Sequence, residues 1–162
     1  MFRIVLFQPE IPANTGNIGR LCVGAESELH IIKPMRFFIN DKYLKRAGLD
    51  YWDDLNFFVH ADLSEIYEMY PENNTYFCTT KTTRSYTEPS YKAGDIFIFG
   101  PESRGIPENI LVSNSHQTIT IPMSDKIRSI NLSNSVAIVL YEALRQINWT
   151  GDNKNINRRI IC

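Results

Sequence analysis

Two runs without a single charged side chain, Ile4-Val5-Leu6-Phe7 and Ile96-Phe97-Ile98-Phe99, constrain this chain most. A strand that is apolar at every position offers no face to water, so it needs helices packed above and below it. Each run stops abruptly. The first gives way to Pro9-Glu10-Ile11-Pro12-Ala13-Asn14-Thr15-Gly16-Asn17-Ile18-Gly19-Arg20, a rigid loop entering a helix. The second ends in Gly100-Pro101-Glu102-Ser103-Arg104-Gly105-Ile106-Pro107. Proline and glycine break the strands there. Both segments set polar residues at the C-terminal ends of buried strands, where open α/β sheets bind ligands.

A third segment has the same character. From Ile119 to Arg145 the chain reads ITIPMSDKIRSINLSNSVAIVLYEALR, a polar Ser/Asn loop followed by an apolar helical run. Val136, Leu140 and Leu144 recur at helical spacing, with Ala137, Val139 and Ala143 broadening the same face. Asn131 or Ser133 serves as N-cap. Backbone N–H groups at such a start can hold the polar edge of a ligand, although a plainly capped core helix accounts for the same residues. Three such loops in one small chain point to a single composite site.

Between these landmarks, strands are expected at 2–7, 28–33, 56–60, 75–79, 95–99 and 117–121. Helices are expected at about 15–26, 41–47, 62–70 and 132–147, with a helical turn after Pro107. Alternating strands and helices specify an α/β fold with a mostly parallel sheet covered on both faces. The 162 residues support one domain, 1–147, followed by a polar, asparagine-rich tail, 148–162. No stretch approaches the ~20 apolar residues that span a bilayer, and no leader pattern opens the chain, so a cytoplasmic protein is expected. Cys22, Cys78 and Cys162 are odd in number and lack C-x-x-C spacing, which argues against a disulfide framework and a zinc site. His30, His60 and His116 stand without metal-ligand spacing or a carboxylate partner nearby in sequence and are expected to be structural; no metal is expected. The absence of G-x-G-x-x-G and of a P-loop weighs against an NAD or ATP enzyme.

Three stretches, N-T-G-N-I-G-R, F-G-P-E-S-R-G and I-P-M…R-S-I-N-L-S-N-S, resemble the three signature motifs of the SPOUT RNA methyltransferases. In order, spacing and chain length they are most similar to the small tRNA 2′-O-methyltransferases of the wobble cytidine or uridine, the TrmL (YibK-like) group. The resemblance runs from about Phe2 to Gln146. It implies a SPOUT fold with a deep C-terminal trefoil knot, which general topology rules would never suggest. It also implies S-adenosylmethionine as cofactor, an anticodon stem-loop of tRNA as substrate, and a homodimer that assembles an RNA surface across two subunits.

Motif by motif, the resemblance implies cofactor contacts from Cys78, Thr79, Gly100, Glu102, Ile121, Met123, Ser129 and Leu132, mostly through the backbone. Arg20 matches the first-motif arginine, proposed in that family to assist 2′-OH deprotonation. A guanidinium stays protonated in nearly any setting, so phosphate binding and oxyanion stabilisation are the preferred roles. Ser133 and Tyr141 are further catalytic candidates: Ser133 for the attacking hydroxyl or as a cap, Tyr141 near the partner subunit's site or as an interface aromatic. Asn14, Asn17 and Arg128 join Arg20 as substrate-binding candidates, with Asn14 and Asn17 expected to shape the loop and cap the first helix. Glu102 and Arg104 are expected to pair with each other or with Arg20.

The implied reaction is attack of a ribose 2′-hydroxyl on a sulfonium methyl. Placement of the reactants lowers such a barrier by roughly 7–11 kcal/mol, against about 3–5 kcal/mol for general-base help. The lack of an obvious His–Asp pair is therefore no objection.

A net charge of −1 leaves RNA binding to local patches. Candidates are Lys33 with Arg36, Lys42-Lys45-Arg46, Lys81 with Arg84, Lys126 with Arg128, and Arg158-Arg159. The chain departs from the group's pattern at Gln8, often acidic there, and at Thr82-Thr83-Arg84-Ser85-Tyr86, where a glycine-containing loop is commoner. Two other readings stand beside the leading one: 2′-O-methylation of another tRNA or rRNA nucleotide, and a non-catalytic RNA-binding module. The intact Arg20, Glu102 and Asn131-Leu132-Ser133-Asn134 argue against the module.

Overall fold

A computed structural model describes residues 1–35, 37 and 51–151. The helix expected near 41–47, the clusters Lys42-Lys45-Arg46 and Arg158-Arg159, Arg36 and the tail from 152 onward lie outside the described residues.

Six strands form one sheet: β1 (Arg3–Phe7), β2 (Glu28–Ile32), β3 (Phe57–His60), β4 (Thr75–Cys78), β5 (Ile96–Phe99) and β6 (Thr118–Ile119). Their order is β3-β2-β1-β5-β4-β6, and every pairing is parallel. The helices are α1 (Pro12–Gly24), α2 (Ser64–Met69), α3 (Glu108–Ser113) and α4 (Leu132–Gln146).

The two faces of the sheet bury different sets of side chains, as the two-residue alternation of a strand requires. Ile4 and Leu6 of β1, with Phe97 and Phe99 of β5, join the cluster that includes Ile18 and Cys22 of α1 and Val136, Leu140 and Leu144 of α4. Val5, Phe7, Ile96 and Ile98 point the other way, to Ile66 of α2 and Leu111 of α3. Each fully buried Val, Leu or Ile contributes roughly 1.5–3 kcal/mol relative to exposure. That is why α4, with six buried residues from Leu132 to Leu144, is fixed in place.

Two element boundaries differ from expectation for identifiable reasons. Helix α1 starts at Pro12 rather than near 15, because proline at the first helical position loses no hydrogen bond and arrives with helical φ. Strand β6 is shorter than 117–121. Thr120 leaves the sheet's ladder and forms a parallel bridge with Ser85 instead, and the following Pro122 has no N–H to pair.

The chain first builds outward from β1 to β3, then crosses back to β4 and β5. Strands β1 and β5 are neighbours, with Leu6 opposite Phe99. The loops that follow them diverge from a topological switch point, where α/β sheets open a crevice.

Candidate functional site

The crevice at the carboxyl ends of β5, β4 and β6 is a cavity of about 680 Å³, a volume suited to a nucleoside-sized ligand. Three loops line it: the one after β5, the one between β4 and β5, and the one between β6 and α4.

Gly100 makes the first loop possible. A Cβ there would lie 2.3 Å from Ile106 N and 2.4 Å from Gly105 C, so only glycine lets the chain fold back so tightly. Gly105 N donates to Pro101 O at 2.9 Å, and Gly105 itself has φ +70°, in the left-handed region.

From this loop Glu102 reaches across to the start of α1. Its carboxylate accepts from Glu10 N at 2.9 Å, Ile11 N at 3.2 Å and Asn14 Nδ2 at 2.9 Å. Ile11, the N-cap position, has no capping side chain of its own. A carboxylate from 91 residues away supplies the missing acceptor and complements the positive end of the helix dipole. Glu10 answers by accepting from Ser103 N and Ser103 Oγ, both at 2.9 Å.

The network continues into the third loop. Asn131 Nδ2 donates to Asn14 Oδ1 at 3.1 Å, while Asn131 Oδ1 caps α4 by accepting from Ser133 N at 2.9 Å and Asn134 N at 3.4 Å. Of the two N-cap candidates, Asn131 is therefore the cap, and the Ser133 hydroxyl also donates to its Oδ1 at 2.7 Å. The loop after β5, the start of α1 and the loop before α4 meet in the chain of contacts Glu102–Asn14–Asn131.

All eight residues expected to contact a cofactor line the cavity: Cys78, Thr79, Gly100, Glu102, Ile121, Met123, Ser129 and Leu132. Asn14 and Arg128 line it too. Asn17, Arg20, Ser133 and Tyr141 do not. Asn17 and Arg20 are exposed on α1, with the Arg20 guanidinium 5.3 Å from the centroid of the Tyr51 ring. Tyr141 is half exposed on α4, well along the helix from its cavity end.

Burial pushes the Cys78 thiol well above its ordinary range. A thiol held neutral in this way lines the cavity as an apolar surface. Around the cavity, Lys81 is paired with Glu108, and Arg104 donates to Gln8 Oε1 at 2.5 Å. Glu102 and Arg104 do not pair with each other as expected, because Glu102 is consumed by the start of α1 and Arg104 by Gln8. Arg128 is exposed at the cavity, with no ion pair or hydrogen bond to another side chain among the described residues.

Tyr86 and Thr120 line the cavity without having been singled out. Tyr86 N donates to Thr120 O at 2.8 Å and Thr120 N to Arg84 O at 2.9 Å. Nothing in the spacing of the 82–86 stretch marks either residue as part of this wall.

The histidines correct a second expectation. His30 Nδ1 and His60 Nε2 are 3.0 Å apart in the core between β2 and β3. His60 Nδ1 lies 3.0 Å from Glu65 Oε2, and His30 Nε2 3.4 Å from Glu28 Oε2. Carboxylate partners are thus close in sequence, two residues before one histidine and five after the other. Arg3 Nε adds an ion pair to Glu28 at 2.8 Å, although its N–H is not aimed along that contact. This cluster sits at the β3 edge of the sheet, away from the cavity.

The profile of the SpoU rRNA Methylase family matches residues 1–141. The chain is 47% identical over 152 residues to the tRNA (cytidine(34)-2'-O)-methyltransferase of Escherichia coli (strain K12), covering 93% of this chain and 97% of that protein. A solved chain described for 2-OH methylation of C/U34 on tRNA superposes with a TM-score of 0.85 at 38% identity, over 93% of this chain and 98% of that one. The fold extends to the SpoU methyltransferase AviRb from Streptomyces viridochromogenes, solved with AdoMet. There the TM-score is 0.77 at 18% identity, over 90% of this chain and 57% of that one.

Proposed function

This chain belongs to the SpoU rRNA methylase family of RNA methyltransferases, and from that premise we propose that it methylates the ribose 2′-hydroxyl of the wobble cytidine or uridine of tRNA. The observation that carries the reading is the junction of the loop after β5, the start of α1 and the loop before α4, through Glu102, Asn14 and Asn131, at one cavity. Relatives at 38% to 47% identity that act on nucleotide 34 support the substrate.

S-adenosylmethionine fits the cavity's chemistry. Gly100 leaves backbone exposed where a side chain would block it, Ile121 and Leu132 offer apolar surface for a purine face, and the neutral Cys78 thiol tolerates a sulfonium nearby. When bound, it supplies a methyl group made electrophilic by the positive sulfur.

The chain's own residues bind and orient. Glu102 and Asn131 hold α1 and α4 in fixed relation, which sets where the ribose hydroxyl must approach. Arg20, a cation on the exposed side of α1, binds phosphate and stabilises the developing alkoxide. Asn17, one helical turn before it, shares that face. Ser133 is occupied by Asn131 and serves the cap first. Arg128, with no side-chain partner among the described residues, takes an RNA phosphate at the cavity.

Because Arg20 and Tyr141 lie outside the cavity of a single chain, the reading includes a homodimer in which Tyr141 approaches the partner subunit's site. It also includes a trefoil knot around the cavity and the cytoplasm as the place of action. Transfer of label from S-adenosylmethionine to total tRNA lacking this modification tests the reading. Incorporation is expected; cofactor binding without incorporation overturns it in favour of a binding module.

A further inference from the structure

The wall formed by Tyr86 and Thr120 depends on a residue that does not itself line the cavity. Tyr91 is only 5% exposed and its O–H donates to the backbone carbonyl of Tyr86. Its ring is gripped edge-on by Tyr76, centroids 5.1 Å apart at 90°, and by Phe97, 5.0 Å apart at 79°. Its backbone N–H donates to Gln146 Oε1 at 2.9 Å, and Gln146 is steadied in turn by Glu142, also at 2.9 Å. The phenol therefore projects from a platform built by β4, β5 and the end of α4.

What it holds is the segment that pairs with Thr120. Tyr86 N donates to Thr120 O, Thr120 N donates to Arg84 O, and Ser85 bridges Thr120. Glu88 closes the same turn by accepting from Ser85 N at 2.7 Å. Remove the Tyr91 hydroxyl and the Tyr86 carbonyl loses its partner in a part-buried setting, which costs more than the net value of the bond. The lowest-cost relief is local: the 84–86 segment lifts, and Tyr86 and Thr120 move with it. Gln146 makes the same wall sensitive to the end of α4, whose other end carries Asn131 and Leu132 at the cavity.

We infer that Tyr91, seated on Gln146, is a positioning residue that sets cofactor affinity by fixing the Tyr86–Thr120 wall. This inference rests on the cavity holding S-adenosylmethionine, as proposed above. Tyr91→Phe keeps the ring and its packing and removes only the hydroxyl. Tyr76→Phe is the matched control, removing a hydroxyl from the same aromatic cluster that makes no hydrogen bond among the described residues.

The test is calorimetric titration of the purified protein with S-adenosylhomocysteine, joined to steady-state methyl transfer. Tyr91→Phe is expected to raise Kd and the cofactor KM by about five-fold or more, with kcat at saturation within about two-fold, while Tyr76→Phe stays within about two-fold on all three. Gln146→Ala is expected to raise Kd by about two- to five-fold and keeps the inference testable if Tyr91→Phe is poorly soluble. An unchanged Kd in Tyr91→Phe, or an equal loss in Tyr76→Phe, overturns it. Absence of binding by the unaltered protein overturns the cavity's assignment itself, which is a different failure.

Discussion

Glu102 Oε1 accepts a hydrogen bond from Asn14 Nδ2 at 2.9 Å, and that contact ties the loop after β5 to the helix that bears Arg20. The same carboxylate caps α1 through Glu10 N and Ile11 N, so one side chain sets both the shape of the cavity and the direction of α1.

Replacing Glu102 with Gln puts an NH₂ where one carboxylate oxygen accepted, leaving at least one α1 donor without a partner. Urea unfolding is expected to show a loss of roughly 1.5–3 kcal/mol. Methyl transfer should fall in kcat/KM by about ten-fold or more, because α1 no longer holds Arg20 in register with the cavity.

Asn131→Ala removes the cap of α4 and should cost about 1 kcal/mol by itself. Because Asn131 also donates to Asn14, the double variant with Asn14→Ala is expected to be non-additive by about 0.5 kcal/mol or more in a double-mutant cycle. Strict additivity would mean that the 3.1 Å contact carries no energy.

Gly100→Ala is expected to be the most damaging single substitution at the cavity. The added Cβ, 2.3 Å from Ile106 N, meets backbone rather than a flexible side chain. Either the loop shifts and S-adenosylhomocysteine binding is lost, or the fold pays about 3 kcal/mol or more in stability; differential scanning fluorimetry with and without ligand distinguishes these outcomes.

His30 gives the protein a pH dependence. Burial, aided by the His60 ring and by Arg3, pulls it down to about 4 from 6.5, against the opposing effect of Glu28. The unfolded chain takes up a proton below about 6.5 that the folded chain refuses until about 4, so stability is full above that window and is lost as the pH falls through it. Urea midpoints measured from about pH 7 to about pH 4 should fall accordingly, and His30→Asn should flatten the curve.

Arg20 separates binding from chemistry. Arg20→Ala should reduce kcat/KM by roughly 10²–10³-fold, as expected for loss of a group that stabilises developing charge. Arg20→Lys should recover part of it, since the charge remains but the two-pronged guanidinium does not. Both should bind S-adenosylhomocysteine within about two-fold of the unaltered protein, because Arg20 does not line the cavity.

What the sequence made legible follows from the range of the forces involved. The apolar runs at 4–7 and 96–99 announced buried parallel strands because burial leaves its mark residue by residue. The Val136, Leu140 and Leu144 stripe announced α4 in the same way. Of the eight expected cofactor contacts, the six from Gly100 to Leu132 fall within the quoted motifs, because each motif is a contiguous loop at a strand end, whereas Cys78 and Thr79 close β4 outside them. Less legible were contacts that span the chain. Nothing near Ile11 shows that Glu102 completes its helix, so Glu102 was expected to pair with Arg104 or Arg20 instead. The histidines were set aside for want of a nearby carboxylate, yet Glu28 and Glu65 were there. Their contact is diagonal across β2 and β3, with His30 registered opposite Phe58 and His60 opposite Ile32, so no local spacing announces it. Tyr91 carried no motif at all; its importance lies in the aromatic platform beneath it.

The central claim is best tested by nucleoside-resolved mass spectrometry of anticodon-loop fragments, after tRNA lacking the modification has been incubated with this protein and S-adenosylmethionine. The account predicts one new methyl group on the ribose 2′-oxygen of the wobble cytidine or uridine. A methyl group on a base or at another position, or none despite confirmed cofactor binding, would contradict it.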